Sequence, residues 1–216
     1  LERVIAAGGD PGKTVFSGVG KTRDDMRHAL AAGVMCFNVE SESELQRLND
    51  TAGEMNRKAP VSIRVNPDVD AKTHPYISTG QKENKFGVAF GEALRIYRKG
   101  HALPHLKIVG IDCHIGSQLI ELAPFVDAVG KVLNLVDTLA AEGIVLKHLD
   151  LGGGLGIRYR DESPPPVDAY VKALLDCVGE RRQEILLEPG RSLVGNAGLL
   201  LTRIEYLKHG EARNFA

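Results

Sequence analysis

Apolar positions along the chain alternate between two patterns. Short runs dense in apolar and β-branched residues occur at 14–17, 36–39, 61–65, 108–114, 148–151 and 184–187. Several are continuously apolar, as strands buried on both faces are. Helical spacing fills most of the intervals. Thr22, with Asp25 three residues on, caps a segment carrying Met26, Ala29 and Leu30. Ser41 and Glu44 form a capping-box pattern ahead of Leu45 and Leu48. Pro124 opens the clearest helix and Gly143 closes it; its apolar stripe is Phe125, Val129, Val132, Leu133, Val136 and Leu139. Strand alternating with helix predicts a parallel sheet with right-handed crossovers.

Two stretches do not fit tight connections. Residues 66–87 are polar and Pro-containing with no apolar period, and loops of that length are functional or disordered. Residues 159–166 end in three prolines and read as a surface excursion. Beyond Glu188 the chain changes character, and 198–207 is predicted to be one strand of a different module. The polar and Gly-rich signals collect at the C-terminal ends of all six strands: Ser17-Gly18, Glu40-Ser41, Asn66-Pro67, His114 to Gln118, Gly152 to Gly156, and Glu188 to Arg191. An open sheet gathers ligand groups at one switch point, whereas a barrel brings every strand end to one mouth. The expected fold is therefore α/β, a partial (β/α)8 TIM barrel holding about strands three to eight. Residues 1–196 form that part, and 197–216 form the first strand of a C-terminal β-domain. Helical spacing already at Leu1, Val4 and Ile5 adds the expectation of a fragment.

Composition narrows the class. The 216 residues are 43% hydrophobic and 25% charged, which are globular proportions. Lys plus Arg number 27 against 28 Asp plus Glu, a net charge of −1, so nothing draws the chain to nucleic acid or a membrane surface. No apolar run reaches the roughly 18 residues of a membrane span. No signal peptide is visible. Cys36, Cys113 and Cys177 are far apart, with no Cys-x-x-Cys pair, which points to a reducing compartment, the cytoplasm, without disulfides or structural zinc.

Several segments carry candidate chemistry. Gly18-Val-Gly-Lys-Thr22 looks like the end of a phosphate loop, but the pattern needs Gly where Val15 stands, so a strand-to-helix turn is expected. In Asp150-Leu-Gly-Gly-Gly-Leu-Gly156 the consecutive glycines let backbone N–H groups face an anion; the competing reading is a flexible turn. Glu188-Pro-Gly-Arg191 ends the last strand, and its carboxylate needs a partner. That partner is either Arg191 or a ligand cation or ring N–H. Arg191 offers a planar fork for phosphate or carboxylate. In Cys113-His-Ile-Gly-Ser-Gln118, His114 reads either as a core histidine or as a ligand contact, and Ser117 and Gln118 either cap a turn or line the site. His101 and His105 straddle Pro104, and no His/carboxylate trio has metal-ligand spacing.

Together these segments resemble the diaminopimelate decarboxylases, pyridoxal-phosphate enzymes of the alanine-racemase-like barrel class related to ornithine and arginine decarboxylases. The resemblance runs through Val15-Phe-Ser-Gly-Val-Gly-Lys21, Phe37-Asn-Val-Glu-Ser41, Arg64-Val-Asn-Pro67, His74-Pro-Tyr-Ile-Ser-Thr-Gly80, Asn84-Lys-Phe-Gly87, and the three segments just described. It implies pyridoxal 5'-phosphate as cofactor. It also implies that His114 stacks on the cofactor ring and that Glu188 pairs with the pyridine nitrogen. Gly152, Gly153 and Gly154, with Ser117 and the Pro189-Gly190-Arg191 turn, would hold the phosphate. Arg191 would contact phosphate or, preferably, the carboxylate of a small amino-acid substrate. The implied reaction converts meso-2,6-diaminopimelate to L-lysine and carbon dioxide, in a complete protein that is a homodimer.

The departures are as specific as the matches. The family's Schiff-base Lys lies in a Tyr-Ala-x-Lys-Ala-Asn type segment, which this sequence lacks, and none of its three cysteines matches the family's catalytic Cys. Lys21 and Lys85 have no motif that would give them the anchoring role. The 216-residue chain alone is expected to be inactive. The other readings are a decarboxylase for ornithine or arginine, a non-catalytic phosphate or cofactor binder, and an aldolase- or isomerase-like barrel.

Overall fold

Each of the six apolar runs forms a strand in the computed structural model, which describes residues 1–69 and 86–216. The His74 to Gly80 motif, Asn84 and Lys85 lie outside the described residues, as does most of the long polar stretch they belong to. After α1 (Glu2–Ala6) come β1 (Val15–Phe16), α2 (Arg23–Ala32), β2 (Cys36–Val39), α3 (Glu42–Glu54) and β3 (Ala59–Asn66). Then follow β4 (Val88–Ala89), α4 (Phe90–Ala102), β5 (Leu106–Asp112), α5 (Ala123–Ala141), β6 (His148–Asp150), α6 (Val167–Val178) and β7 (Glu184–Leu186). The strand order is β1-β2-β3-β5-β6-β7, all parallel, with the short β4 paired to the end of β3 at Val65 and Asn66.

The helices form where local chemistry places them. Both halves of the α2 capping box are present: Thr22 Oγ1 accepts from the Asp25 N–H, and Asp25 accepts from the Thr22 N–H. Gly33 ends α2 at φ 75°, the left-handed conformation glycine takes without strain. On α3 the box is only half built. Ser41 accepts from the Glu44 N–H, but the Glu44 carboxylate accepts instead from the Glu40 N–H and from Lys21. All six residues of the expected α5 stripe are buried. Among the described residues no helix is long and apolar enough to cross a membrane.

Contacts across the sheet reveal its curvature. β2 and β6 stand three strand positions apart, about 14 Å in a flat sheet. Yet Cys36 Sγ lies 3.7 Å from His148 Nε2, and Asn38 Nδ2 donates to Asp150 Oδ2 at 3.4 Å. The sheet therefore curls as part of a barrel wall, with apolar helix faces packed outside it and polar side chains meeting inside. Gly110 permits this closure, because a Cβ there would fall inside the His148 ring.

Two expectations are corrected. Residues 198–207 carry no strand; the antiparallel pair that forms is β8 (Lys208–His209) with β9 (Asn214–Phe215), just beyond them. A strand exists only where a neighbour completes its hydrogen bonds, and among the described residues none lies along 198–207, where Leu200 is 91% exposed. The sheet also includes β4, which is too short to leave a period-two signal.

Candidate active site

Three strand ends are sewn together by their main chains. β5 runs out through Cys113 and His114, β6 through the glycine turn, and β7 into Glu188-Pro189-Gly190-Arg191. The Cys113 N–H donates to the Asp150 carbonyl at 3.0 Å, Leu151 N–H to Leu186 at 3.0 Å, and Glu188 N–H to Gly152 at 2.7 Å. The Gly153 N–H donates to His114 Nδ1 at 3.2 Å. His114, the glycine turn and Glu188 thus meet at one rim.

The glycines are required by this closeness. Gly152 and Gly154 have φ values of +69° and +110°. A Cβ on Gly152 would lie 2.5 Å from the Cys113 carbonyl oxygen, and one on Gly153 or Gly154 would overlap the carbonyl oxygen of Glu188 or Gly116. The flexible-turn reading therefore gives way to a tightly packed, conformationally fixed turn. Ser117 is half-buried on the loop after His114. Beside it, Gln118 is anchored by Nε2 to the Ile157 carbonyl (2.5 Å) and by Oε1 to the Ile157 N–H (3.1 Å).

Arg191 is not the partner of Glu188. It begins the short α7 (Arg191–Val194), where its Nη1 donates to Gln118 Oε1 at 3.4 Å and its guanidinium lies 5.7 Å from the Tyr159 ring centre. Glu188 instead faces two other acids. Carboxylate oxygens of Asp112, Asp150 and Glu188, one from each, all lie within 4.8 Å of one another. Asp112 and Asp150 are each 1% exposed; Glu188 is exposed as a residue, but its carboxylate is turned in toward that buried pair. Asp150 accepts from the Gly152 N–H at 3.0 Å as well as from Asn38. The one guanidinium against this floor, among the described residues, is that of Arg64 on β3, 3.2 Å from Glu40 and 3.9 Å from Asp112.

Burial and like charge govern ionisation here. Lost hydration, then the Asp150 charge, pushes Glu188 up to about 7. Asp112 is held well above the ordinary carboxylate range, first by burial and then by Asp150 and Glu188. Asp150 is raised by burial, against the pull of its hydrogen bonds to Gly152 and Asn38. His114 is lowered to about 4, by burial first and then by the Arg64 charge, so its ring is neutral at pH 7. With Nδ1 accepting from Gly153, the remaining ring proton sits on Nε2. Burial pushes the Cys36 thiol up to about 12 and raises Cys113 as well, so neither is a poised nucleophile.

Lys21 is likewise engaged in structure. Its Nζ donates to the Gly18 and Asn38 carbonyls and to Glu44, at 2.5, 2.7 and 2.7 Å, which confirms the strand-to-helix turn. Sequence spacing does not reveal the acid floor, because Asp112 and Asp150 come from different strands. The available signal is a carboxylate at the end of an apolar strand, a group that burial makes costly unless something answers it.

Residues 1–195 match the family described as pyridoxal-dependent decarboxylase, pyridoxal binding domain, and the chain belongs to that family. It is 63% identical over 216 residues to a diaminopimelate decarboxylase of Pseudomonas aeruginosa and 61% identical over 217 residues to that of Vibrio cholerae. Both alignments cover 100% of this chain and 52% of the relative, so the chain spans about half the length of these curated relatives. The crystal structure of diaminopimelate decarboxylase from Helicobacter pylori complexed with L-lysine is 41% identical, with a TM-score of 0.89 over 99% of this chain and 54% of that one. The resemblance read from the motifs is borne out. A lysine decarboxylase from Selenomonas ruminantium, at 22% identity and a TM-score of 0.76, shares the fold.

Proposed function

We propose that this chain is the pyridoxal-phosphate-binding part of a cytoplasmic, homodimeric enzyme that decarboxylates meso-2,6-diaminopimelate to L-lysine and carbon dioxide. The observation that carries the reading is the joining of His114, the glycine turn and Glu188 through the Gly153–His114 and Glu188–Gly152 hydrogen bonds. Identities of 57–63% to diaminopimelate decarboxylases favour this substrate over ornithine or arginine.

The residues present fit the cofactor. The backbone of Gly152, Gly153 and Gly154, with Ser117, Pro189, Gly190 and the Arg191 N–H, would hold the phosphate, since no glycine side chain screens those amides. The neutral face of His114 would lie against the ring without repelling a protonated pyridine nitrogen. Glu188 would accept that nitrogen's proton in a charge-assisted hydrogen bond, and the approaching cation would draw its pKa back down from about 7. Bound pyridoxal phosphate supplies an electron sink for the charge left when carbon dioxide departs. Arg191, already held at the rim by Gln118 and Tyr159, would orient a substrate carboxylate.

The test is Glu188→Ala in the complete protein. Loss of one preorganised electrostatic contact to the reacting system lowers turnover by about 100-fold or more, with cofactor occupancy, read by absorbance, nearly retained. Unchanged turnover at full occupancy would reject the role of Glu188.

A further inference from the structure

The acid floor behind Glu188 holds two more carboxyl groups than the pairing proposed for Glu188 uses. Asp112 ends β5 at 1% exposure, and among the described residues its Oδ1 has no hydrogen-bond partner. Its Oδ2 is 3.9 Å from Arg64 Nε, too long for a hydrogen bond, while Arg64 Nη1 is 3.2 Å from Glu40. The charged groups facing Asp112 from its surroundings are Arg64 on β3, Glu40 after β2, Asp150 on β6 and Glu188 after β7, and the Cys36 and Cys113 thiols and the Tyr97 phenol also lie within its field. The three acids differ in how an anion would be supported. Asp150 accepts from the Gly152 N–H and from Asn38. Glu188 lies at the rim, where the residue as a whole is exposed. Asp112 has no donor at Oδ1 and no water-facing surface, so an ionised carboxylate there leaves an oxygen without compensation.

We propose that Asp112 is the proton-bearing member of the cluster and a positioning residue for Glu188. As a neutral acid it removes one of three crowded negative charges, which leaves Glu188 ionised and directed at the rim. The inference rests on the assignment of Glu188 to the cofactor nitrogen. The direction of the shift at Asp112 agrees with it.

Infrared difference spectra of the complete, cofactor-loaded protein test it. Subtracting the Asp112→Asn spectrum from the parent spectrum at pH 7.5 should leave the carbonyl band of a protonated carboxylic acid. Asp150→Asn removes a neighbouring negative charge, so the pH at which that band disappears should move down. Asn is a neutral isostere of the protonated acid, and Asp112→Asn should lose less than 30-fold in turnover between pH 6 and 8, since no charge is lost. A carboxylate band in place of the acid band overturns the proposal. So does a loss of 30-fold or more in Asp112→Asn. So does an acid band that appears only when magnesium is stripped, since a cation would then be the group neutralising the floor. Glu188→Gln separates the two readings. If it leaves turnover and the cofactor spectrum unchanged, the assignment of Glu188 fails, while the infrared band still reports on Asp112 alone.

Discussion

At the residue scale, buried charge is the theme, and each charged group is treated differently. Lys21 and Glu44 form an ion pair with side chains 3% and 10% exposed, and two carbonyls complete the ammonium's bonds. Lys21→Ala would leave the part-buried Glu44 carboxylate with only the Glu40 N–H among the described residues, at a cost of about 3 kcal/mol. A correspondingly lower denaturation midpoint should be seen, with cofactor binding retained by whatever fraction stays folded. Glu188 behaves in the opposite sense. Its folded pKa, about 7, lies above its ordinary value, so the native state binds the extra proton. Its contribution is present at low pH and is lost as pH rises through about 7. The melting temperature of the cofactor-free protein should therefore fall between about pH 4.5 and 7 on account of this group, and Glu188→Gln should flatten that slope. These two residues also mark the limit of reading a sequence. Glu188 is visible there as a carboxylate at a strand end in need of a partner, whereas its actual neighbours, Asp112 and Asp150, are not. Nothing in linear spacing says that the ends of β5, β6 and β7 lie within one carboxylate's reach.

At the element scale, most of the fold is legible because period and caps agree. The Thr22–Asp25 box, the α5 stripe and the six strands all stand where the pattern puts them. The exceptions have a common cause. Glu44 abandons its box for Lys21, and residues 198–207 form no strand, because in both places a tertiary partner, present or missing, outweighs the local preference. The glycines make the same point experimentally. Gly153→Ala would drive a methyl group into the Glu188 carbonyl oxygen. It should separate β6 from β7 at their ends and weaken cofactor binding at least tenfold, as read by fluorescence titration. On the exposed face of α5, a methyl group added at Gly130 would meet nothing within 4 Å. Gly130→Ala should raise stability by about 0.5–1 kcal/mol and leave binding unchanged.

At the scale of the whole molecule, barrel curvature can be inferred from the distribution of polar signals over every strand end, but the barrel's interior cannot. Cys36 meets His148 and Asn38 meets Asp150 across 112 residues of sequence, and only curvature makes them neighbours. Among the described residues β1 pairs only with β2 and β7 only with β6, so each presents an unpaired edge. Leu199, Leu200 and Leu201 are each 89–91% exposed nearby in sequence. Open edges and exposed apolar runs both favour self-association. The 216-residue chain should scatter light increasingly with concentration, and replacing these three leucines with serine should reduce that scattering without changing the circular dichroism.

The Glu188 N–H bonded to the Gly152 carbonyl has a further consequence. It fixes the span between the amides of the glycine turn and the carboxylate one side chain away, so the two form the jaws of a caliper. Under the proposed function, the cofactor must satisfy both jaws at once. Pyridoxal stripped of its tail would keep a counter-charge for its nitrogen yet sit out of register, which makes length, as much as charge, a criterion for admission.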